Sequence, residues 1–300
     1  VATSPISFVA SSNAALYSHL RPLFIDVDSE TANLSTESLK KALESNSKIS
    51  AIIPVHFGGL PCDMQEIANI SRPQGIKIVE DAAHALGARY STGEMVGSCA
   101  YSDITVFSLH PVKSITSGEG GVITTNDENI YKNLLRLRSH GINKVDDKFQ
   151  NAILSNSKYE NNLWYYEMQE LGYHFRMTEI QAALGQSQLK KLEKFISRRK
   201  ELIHAYEVLF SENKFFSIFQ KTLQDSSSNH LLVIKIDFPN LQKSRNEIMI
   251  ELRDVGIVTQ VHYMPIPLHP YYEKLGYTVE NLPNSLDFYY SCLTIPLYPS

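Results

Sequence analysis

Cysteine is scarce in this sequence, which limits the kinds of fold and site that the chain can contain. Three cysteines occur in 300 residues, and no two of them form a C-x-x-C pair. A small, odd number argues against a disulfide framework, and the spacing argues against a zinc knuckle. We therefore expect a reducing, cytoplasmic setting.

Long apolar runs and an excess of positive charge are also missing. No stretch approaches the roughly 20 apolar residues that cross a bilayer, and the chain does not open with a basic segment followed by an apolar one. The 28 Lys and Arg against 32 Asp and Glu give a formal net charge of -4, so no global basic field would hold a polyanion. We expect neither a membrane nor a nucleic-acid partner.

The loop motifs of common phosphate, dinucleotide and hydrolase sites are absent as well. Gly118-Glu-Gly-Gly lacks the Gly-Lys-Ser/Thr of a P-loop, no G-x-G-x-x-G follows a strand, and no G-x-S-x-G occurs. His262 and His269 are separated by a Pro-rich segment, which does not provide a helical i, i+4 pair of ligands. We expect no metal site.

Short runs of β-branched and apolar residues alternate with helical segments in the first half of the chain. Continuous apolar runs are typical of strands buried on both faces, so they predict an α/β fold with a largely parallel sheet. The runs lie at 22–27, 49–56, 76–81, 104–110 and 121–126. Apolar spacing predicts amphipathic helices at 36–43, 64–70 and 128–138.

The second half of the chain predicts a smaller domain. One long helix or a bent pair over 178–210 would join it to the first, and a strand at 230–238, a helix at 245–255 and a strand at 257–263 indicate an α+β unit. We place the large domain at 1–196 and the small C-terminal domain at 197–300. Both ends look cut out of a longer chain, so we expect parts of both domains to be missing.

An acid and an imidazole directly follow one predicted strand. Asp81 ends the run at 76–81, and His84 comes shortly after it. The carboxyl ends of parallel strands form the edge where α/β sheets bind ligands, so both side chains are candidates for a site. The alternative is that Asp81 only caps a following helix.

Lys113 follows the next predicted strand, within an apolar and glycine-rich stretch. One strand–helix–strand excursion fits the interval, so Asp81 and Lys113 can lie at the same edge of the sheet. Burial there would lower the pKa of the Lys113 amine and make it a nucleophile toward an aldehyde. Pyridoxal 5'-phosphate (PLP) needs such an amine and an acid against its pyridine nitrogen, and this pair supplies both.

Motifs along the whole chain point to one family. They are Ser7-Phe8-Val-Ala, Glu80-Asp-Ala-Ala-His84-Ala-Leu-Gly, Phe107-Ser108-Leu-His-Pro-Val-Lys113, Gly118-Glu-Gly-Gly-Val-Ile-Thr-Thr-Asn126, Arg138-Ser-His-Gly141 and Leu171-Gly-Tyr-His-Phe-Arg176-Met-Thr-Glu. In this order the set resembles the DegT/StrS family of PLP-dependent nucleotide-sugar aminotransferases. Three C-terminal segments look most like the members that act in pseudaminic acid biosynthesis: Ser228-Asn-His230, Gly256-Ile-Val-Thr-Gln260-Val-His262-Tyr263-Met-Pro-Ile and Asp287-Phe-Tyr-Tyr.

The resemblance implies a PLP-dependent transferase of fold type I, similar to aspartate aminotransferase. Lys113 would bind the cofactor covalently and move the proton between cofactor and substrate carbons, while Asp81 would pair with the pyridine nitrogen. Phe8 would stack on the ring, His84 would lie near its phenolic oxygen, and the Ser108 hydroxyl would bind the phosphate. Phe8 could instead be a core residue, and His84 a buried histidine with all its hydrogen bonds satisfied.

By the same resemblance, a segment of the small domain and one residue of the large domain are candidates for binding the substrate. Gln260, Val261, His262 and Tyr263 match the segment that lines the sugar-nucleotide pocket. Arg176 would pair with the nucleotide diphosphate or with a donor carboxylate, and a structural salt bridge is the alternative for this residue.

The resemblance further implies a homodimer with shared active sites. His174 stands where the family usually has Asn, a residue that reaches the cofactor phosphate of the neighbouring subunit, and we assign His174 to that contact. The family also has an N-terminal segment with a phosphate cup of small residues and some substrate contacts, and we expect this segment to be missing from the given sequence.

The expected reaction moves an amino group from glutamate to the 4-keto group of a UDP-linked 6-deoxy-N-acetylhexosamine. One alternative is an aminotransferase for another nucleotide 4-ketosugar, of the dTDP-linked or perosamine type. Another is a non-catalytic PLP-binding homologue. A sugar dehydratase is disfavoured, because the family's dehydratases replace the cofactor-binding lysine with His and this chain retains Lys113.

Overall fold

The architecture is given by a computed structural model that describes residues 1–45, 48–144, 149–150, 164–220 and 225–299. In that part of the chain the strands are β1 Ala2–Thr3, β2 Leu23–Phe24, β3 Ala51–Ile53, β4 Lys77–Asp81, β5 Ile104–Ser108, β6 Gly121–Thr124, β7 Ile142–Asn143, β8 Glu167–Met168, β9 Phe216–Ile218, β10 Leu232–Ile236 and β11 Cys292–Ile295. The α-helices are α1 Ala10–Tyr17, α2 Thr36–Ser45, α3 Met64–Ser71, α4 Glu128–Leu137, α5 Glu179–Leu189, α6 Leu192–Phe210, α7 Phe238–Leu241, α8 Arg245–Asp254, α9 Pro270–Lys274 and α10 Pro283–Ser291.

Six strands from the first half of the chain form one sheet in the order β2-β1-β3-β4-β5-β6. The neighbouring pairs from β2 to β5 are parallel, and β6 alone pairs antiparallel, with β5. The predicted α/β class with a largely parallel sheet is therefore confirmed. The antiparallel last strand follows from the short connection 109–120 between β5 and β6, since a parallel return needs a longer crossover, such as the one at 82–103 between β4 and β5.

Helices α2 and α3 cover one face of this sheet. Ile52 of β3 and Ile78 of β4 are fully buried against Leu39 and Ile67 of these helices. Helix α3 begins where the Asp63 carboxylate accepts the Glu66 backbone N–H at 3.1 Å, which satisfies an N–H left open at the helix start. Burial of these apolar side chains, worth about 25 cal/mol per Å², holds the strands that lead to the site.

The predicted helical region 178–210 is a pair of helices rather than one. Helix α5 opens with a capping box in which Thr178 and Gln181 satisfy each other's backbone groups, and the break before α6 falls at Lys190–Lys191. Beyond α6, strands β9, β10 and β11 form a separate antiparallel sheet. The boundary between 1–196 and 197–300 stays a prediction.

Two sequence predictions about local structure are wrong. The segment 257–263 is not a strand: Gln260 alone forms a bridge to Thr294, because residues 260–263 leave the sheet to line a cavity. The connection between β4 and β5 contains turns and one short bridge, Arg89 with Met95, instead of a helix. The β-branched and aromatic residues at 257–263 are typical of a strand, although the backbone turns away.

None of the helices in the described ranges is both long enough and apolar enough to cross a membrane.

Candidate active site

A cavity of about 900 Å³ opens where β4 and β5 end. Apolar side chains of the sheet, among them Val55, Val79 and Val106, line part of it. Nine residues assigned to a site from the sequence line the same cavity: Phe8, Asp81, His84, Ser108, Lys113, Gln260, Val261, His262 and Tyr263. The structure thus brings together four separate segments of the chain, at Phe8, 81–84, 108–113 and 260–263.

Asp81, the last residue of β4, presents its carboxylate to this cavity. Its Oδ1 accepts the backbone N–H of Ala83 at 3.1 Å, and its Oδ2 accepts the hydroxyl of Ser11 at 2.5 Å. Turns, not a helix, follow Asp81, so the helix-cap alternative is wrong. Asp81 and Lys113 lie at the same edge of the sheet, as the sequence predicted. The connection between β4 and β5, however, does not contain the predicted helix.

Lys113 lies in a turn after β5, where its backbone N–H donates to the His110 carbonyl at 2.9 Å. Burial lowers the pKa of its amine below the ordinary value for lysine, although the negative charge of Asp81 acts in the opposite direction. A lowered pKa increases the fraction of free amine, which is the form that attacks an aldehyde carbon. The predicted environment of Lys113 is therefore present.

His84 is buried deeply in the wall of the cavity. Its Nε2 lies 3.1 Å from the hydroxyl of Tyr263, whereas its Nδ1 has no hydrogen-bond partner in the described part of the chain. The ring of His230 lies 4.6 Å away, and the Ser228 hydroxyl donates to the His84 carbonyl at 2.6 Å. The pKa of His84 lies well below its usual value, first because the ring is buried and second because of the charges of His230 and Lys113. The imidazole is therefore neutral at pH 7. His84 is not the fully satisfied histidine of the alternative.

The segment 260–263 forms the opposite wall. Gln260 exchanges two backbone hydrogen bonds with Thr294, at 3.1 and 2.8 Å, and the His262 Nδ1 lies 2.9 Å from the Thr294 hydroxyl. Burial and the charge of Lys113 lower the pKa of His262 to about 4, and burial raises the pKa of Tyr263. Both side chains are therefore neutral hydrogen-bonding groups at pH 7.

Phe8 and Ser108 complete the set around Lys113. Phe8 is 63% exposed at the cavity, which contradicts the alternative that it is a core residue and leaves its ring free to cover a ligand. Ser108 is the last residue of β5, and its side-chain oxygen accepts the His110 backbone N–H at 3.4 Å. Its hydroxyl hydrogen remains available for a ligand.

His174 and Arg176 do not reach the cavity of their own chain. His174 forms a bridge with Ser139 and packs its ring 5.3 Å from that of His140. Arg176 is exposed, and no acid within the described ranges pairs with it, which does not support the structural salt bridge. The roles assigned to both residues in a neighbouring subunit stay predictions.

A buried carboxylate beside Asp81 was missed by sequence reasoning. Glu80 is fully buried, and it accepts hydrogen bonds from His56 Nε2 at 2.7 Å, Tyr90 at 2.7 Å, Thr105 at 2.9 Å and Ser102. Burial alone would raise the pKa of Glu80, but the bonds and charge of these partners hold it below its usual value. The network joins the segment after β3, the end of β4 and the start of β5, and so fixes the strand that carries Asp81.

The donor set of the cavity fits PLP. It offers an amine of lowered pKa, a carboxylate, a free hydroxyl on Ser108 and, on His84, a buried ring nitrogen that lacks a partner in the described chain. Over the same ranges, no group of three or more His, Cys, Asp or Glu side chains could hold a metal ion.

Comparisons with known proteins agree with this chemistry. The DegT/DnrJ/EryC1/StrS aminotransferase family matches residues 1–300. A UDP-4-amino-4,6-dideoxy-N-acetyl-beta-L-altrosamine transaminase of Campylobacter jejuni is 37% identical, over 99% of this chain and 74% of the relative. Helicobacter pylori PseC, an aminotransferase of pseudaminic acid biosynthesis, superposes with a TM-score of 0.86 at 31% identity, over 100% of this chain and 74% of its own. The PLP form of the sugar aminotransferase Spr1654 of Streptococcus pneumoniae superposes with a TM-score of 0.82 at 26% identity, over 99% of this chain and 75% of its own.

Proposed function

The chain belongs to the DegT/DnrJ/EryC1/StrS aminotransferase family, and from this premise we propose that it transfers an amino group from glutamate to C4 of a UDP-linked 4-keto-6-deoxy-N-acetylhexosamine. That it is a PLP-dependent sugar transaminase follows from the family and its relatives. The product of the proposed reaction is UDP-4-amino-4,6-dideoxy-N-acetyl-β-L-altrosamine, an intermediate of pseudaminic acid biosynthesis. The reaction takes place in the cytoplasm in this proposal.

The observation that carries the proposal is the single cavity shared by Lys113, Asp81 and the segment 260–263. PLP, when bound, supplies an electron sink for the carbon that exchanges its amine. Lys113 holds the cofactor through its amine and carries the proton between the reacting carbons. Asp81 keeps the pyridine nitrogen protonated, because an adjacent carboxylate favours the charged ring.

The remaining cavity residues hold and orient the cofactor. Phe8 covers one face of its ring, and His84 lies beside the phenolic oxygen as a neutral hydrogen-bonding group. The Ser108 hydroxyl donates to the phosphate. These roles need one exposed aromatic ring, one neutral imidazole and one unused hydroxyl hydrogen, which are the states found for the three side chains.

The neutral wall at 260–263 supports a sugar as the amine acceptor. At pH 7 it presents the amide of Gln260, the neutral imidazole of His262 and the un-ionised phenol of Tyr263. Such groups match the hydroxyl and N-acetyl groups of a hexosamine, which carry no charge themselves. The relatives named as altrosamine transaminases favour the UDP-linked sugar over dTDP-linked or perosamine-type ketosugars.

We propose a homodimer in which each site is shared. An exposed apolar surface surrounds His174 and Arg176: Leu171 is 80% exposed, Phe175 70% and Ile180 83%, and the rings of Tyr173 and Phe175 stack 4.8 Å apart. Surfaces of this kind mark protein interfaces. Burying it against a second copy would bring His174 to the neighbour's cofactor phosphate and Arg176 to an anionic part of the substrate.

A panel of acceptors tests the function. The purified chain with PLP and glutamate is incubated with UDP-linked, dTDP-linked and GDP-linked 4-ketosugars, and the product masses are measured. We expect amination of the UDP-linked 4-keto-6-deoxy-N-acetylhexosamine with the highest kcat/KM, and no product from Lys113→Ala. A higher kcat/KM for another ketosugar would replace the proposed substrate. PLP binding without any transamination would favour a non-catalytic homologue.

Mixing two inactive variants tests the shared site. One chain carries Lys113→Ala, and the other is altered at both His174 and Arg176. In heterodimers one of the two sites then has all its groups, so activity should return toward about a quarter of wild type for random pairing. Confirmed heterodimers that remain inactive would show that these two residues serve their own subunit.

A further inference from the structure

The two oxygens of the Asp81 carboxylate are held in different ways. Oδ1 accepts an N–H from Ala83, two residues further along the chain, so this contact is set by the turn after β4. Oδ2 accepts the hydroxyl of Ser11, which is separated from Asp81 by 70 positions. Because the Ser11 contact comes from another element, it fixes the rotation of the carboxylate about its Cβ–Cγ bond independently of the turn.

Ser11 itself occupies a fixed place. It lies in the first turn of α1, is 6% exposed, and has the Ser7 hydroxyl 3.0 Å away. The Ser11 hydroxyl donates its single hydrogen to Asp81, so in the contact between Ser7 and Ser11 the O–H of Ser7 is the donor. The direction of this short chain of hydroxyls is therefore determined, and it ends on Asp81.

A residue from the C-terminal half of the chain anchors the helix that carries Ser11. The Tyr272 side chain, 2% exposed, places its hydroxyl 2.6 Å from the Ser12 hydroxyl and donates to the Asn13 Oδ1 at 2.7 Å. Both contacts are made to the two residues that directly follow Ser11 on α1. The position of the Ser11 hydroxyl is thus set jointly by the first half of the chain and by α9.

We propose that Ser11 is a positioning residue that aims the Asp81 carboxylate at the pyridine nitrogen of PLP, an inference that rests on the proposed role of Asp81. Its hydroxyl holds Oδ2 in place, so that the lone pairs not used by Ser11 and Ala83 stay available to a group in the cavity. Without that donor the carboxylate rotates, and its contact with the protonated ring nitrogen weakens. The Ser11 hydroxyl acts through Asp81 and does not itself touch the reacting atoms.

The test compares PLP with an analogue in which carbon replaces the ring nitrogen. Ser11→Ala removes the hydrogen bond that orients Asp81 toward the ring nitrogen. Because a hydrogen bond to a charged group is stronger than one to a neutral group, we expect the affinity for PLP to fall roughly tenfold. Affinity for the carbon analogue should stay within about twofold of wild type, because that ligand offers Asp81 no proton. Ser11→Thr, which keeps the hydroxyl, should restore PLP affinity to near wild type. The visible absorbance of bound PLP should titrate at a shifted pH in Ser11→Ala and not in Ser11→Thr.

Ser71→Ala is the matched control, since the Ser71 hydroxyl is fully buried in α3 and has no hydrogen-bond partner in the described part of the chain. It should leave both affinities unchanged. If Ser11→Ala does not fold, Ser11→Cys takes its place, because a thiol is similar in size to the hydroxyl and is a weak hydrogen-bond donor. Ser11→Cys must then weaken PLP binding and leave the affinity for the carbon analogue unchanged. If Ser11→Ala loses affinity equally for PLP and for the analogue, or loses affinity for neither, the proposal is wrong, although PLP would still bind at Lys113. Failure of the wild-type chain to bind PLP would instead overturn the proposed function.

Discussion

The Glu80→Gln substitution removes the charge of a carboxylate that has no exposed surface. It replaces the acceptor of hydrogen bonds from His56, Tyr90, Ser102 and Thr105 by an amide of nearly the same shape. The hydroxyl groups of Ser102 and Thr105 can turn to accept from the amide, so the packing survives. What the variant loses is the charge that strengthens each bond.

The size of this loss can be worked out from the bonds. A hydrogen bond to a charged acceptor contributes about 1.5–3 kcal/mol, against about 0.5–1.5 kcal/mol for a neutral pair. Four bonds that each lose about 1 kcal/mol, offset in part because an amide costs less to bury than a carboxylate, lower the free energy of unfolding by roughly 2–4 kcal/mol.

Urea unfolding followed by circular dichroism measures this loss. With an m value of about 3 kcal/mol per M, the midpoint of Glu80→Gln should fall by roughly 1 M. The control is Glu201→Gln, whose side chain is 60% exposed and pairs with Arg198 at 2.8 Å, and its midpoint should move by less than about 0.3 M. Equal shifts in the two variants would refute the claim that the buried network supports the strand of Asp81.

Two further predictions concern the cavity. Asp81→Asn should retain PLP but slow transamination by roughly 10²–10⁴ in rate, because an amide cannot keep the pyridine nitrogen protonated; near wild-type turnover would remove Asp81 from catalysis. Because His262 has a pKa of about 4 in the folded chain and about 6.5 when unfolded, the unfolded chain binds more protons between these values, so stability falls as the pH drops from 6.5 to 4. His262→Gln should flatten that decrease in urea melts at pH 7 and pH 5, and an unchanged slope would contradict the lowered pKa.

The edge of the sheet could be predicted from the sequence because its signal is local. Continuous apolar runs that end in Asp81 and shortly before Lys113 imply parallel strands whose carboxyl ends meet, and both residues line the cavity. The strand predicted at 257–263 is wrong because β-branched and aromatic residues also occur where the backbone turns to form the wall of a cavity. Residue composition indicates that a segment is partly buried, but not whether it pairs within a sheet.

The contacts that orient the site could not be predicted. Helix α1 contains Ser11, Ser12 and Asn13, which favour turns over helix interiors, and the buried hydroxyl of Tyr272 satisfies two of their side chains from a distant part of the chain. The partners of Glu80 likewise come from separate segments. Neither arrangement leaves a pattern of spacing in the sequence, because each depends on tertiary packing.

The most direct test of the central claim is borohydride reduction of the protein loaded with PLP, followed by peptide mapping. Borohydride fixes the cofactor to the lysine that holds it, and the lowered pKa of Lys113 beside Asp81 predicts a single labelled peptide that contains Lys113. Lys113→Ala should lose both the visible absorbance and the label, while Lys41→Ala, at an exposed lysine paired with Glu37, should keep both. Labelling at any other lysine, or persistence of the label in Lys113→Ala, would contradict the account.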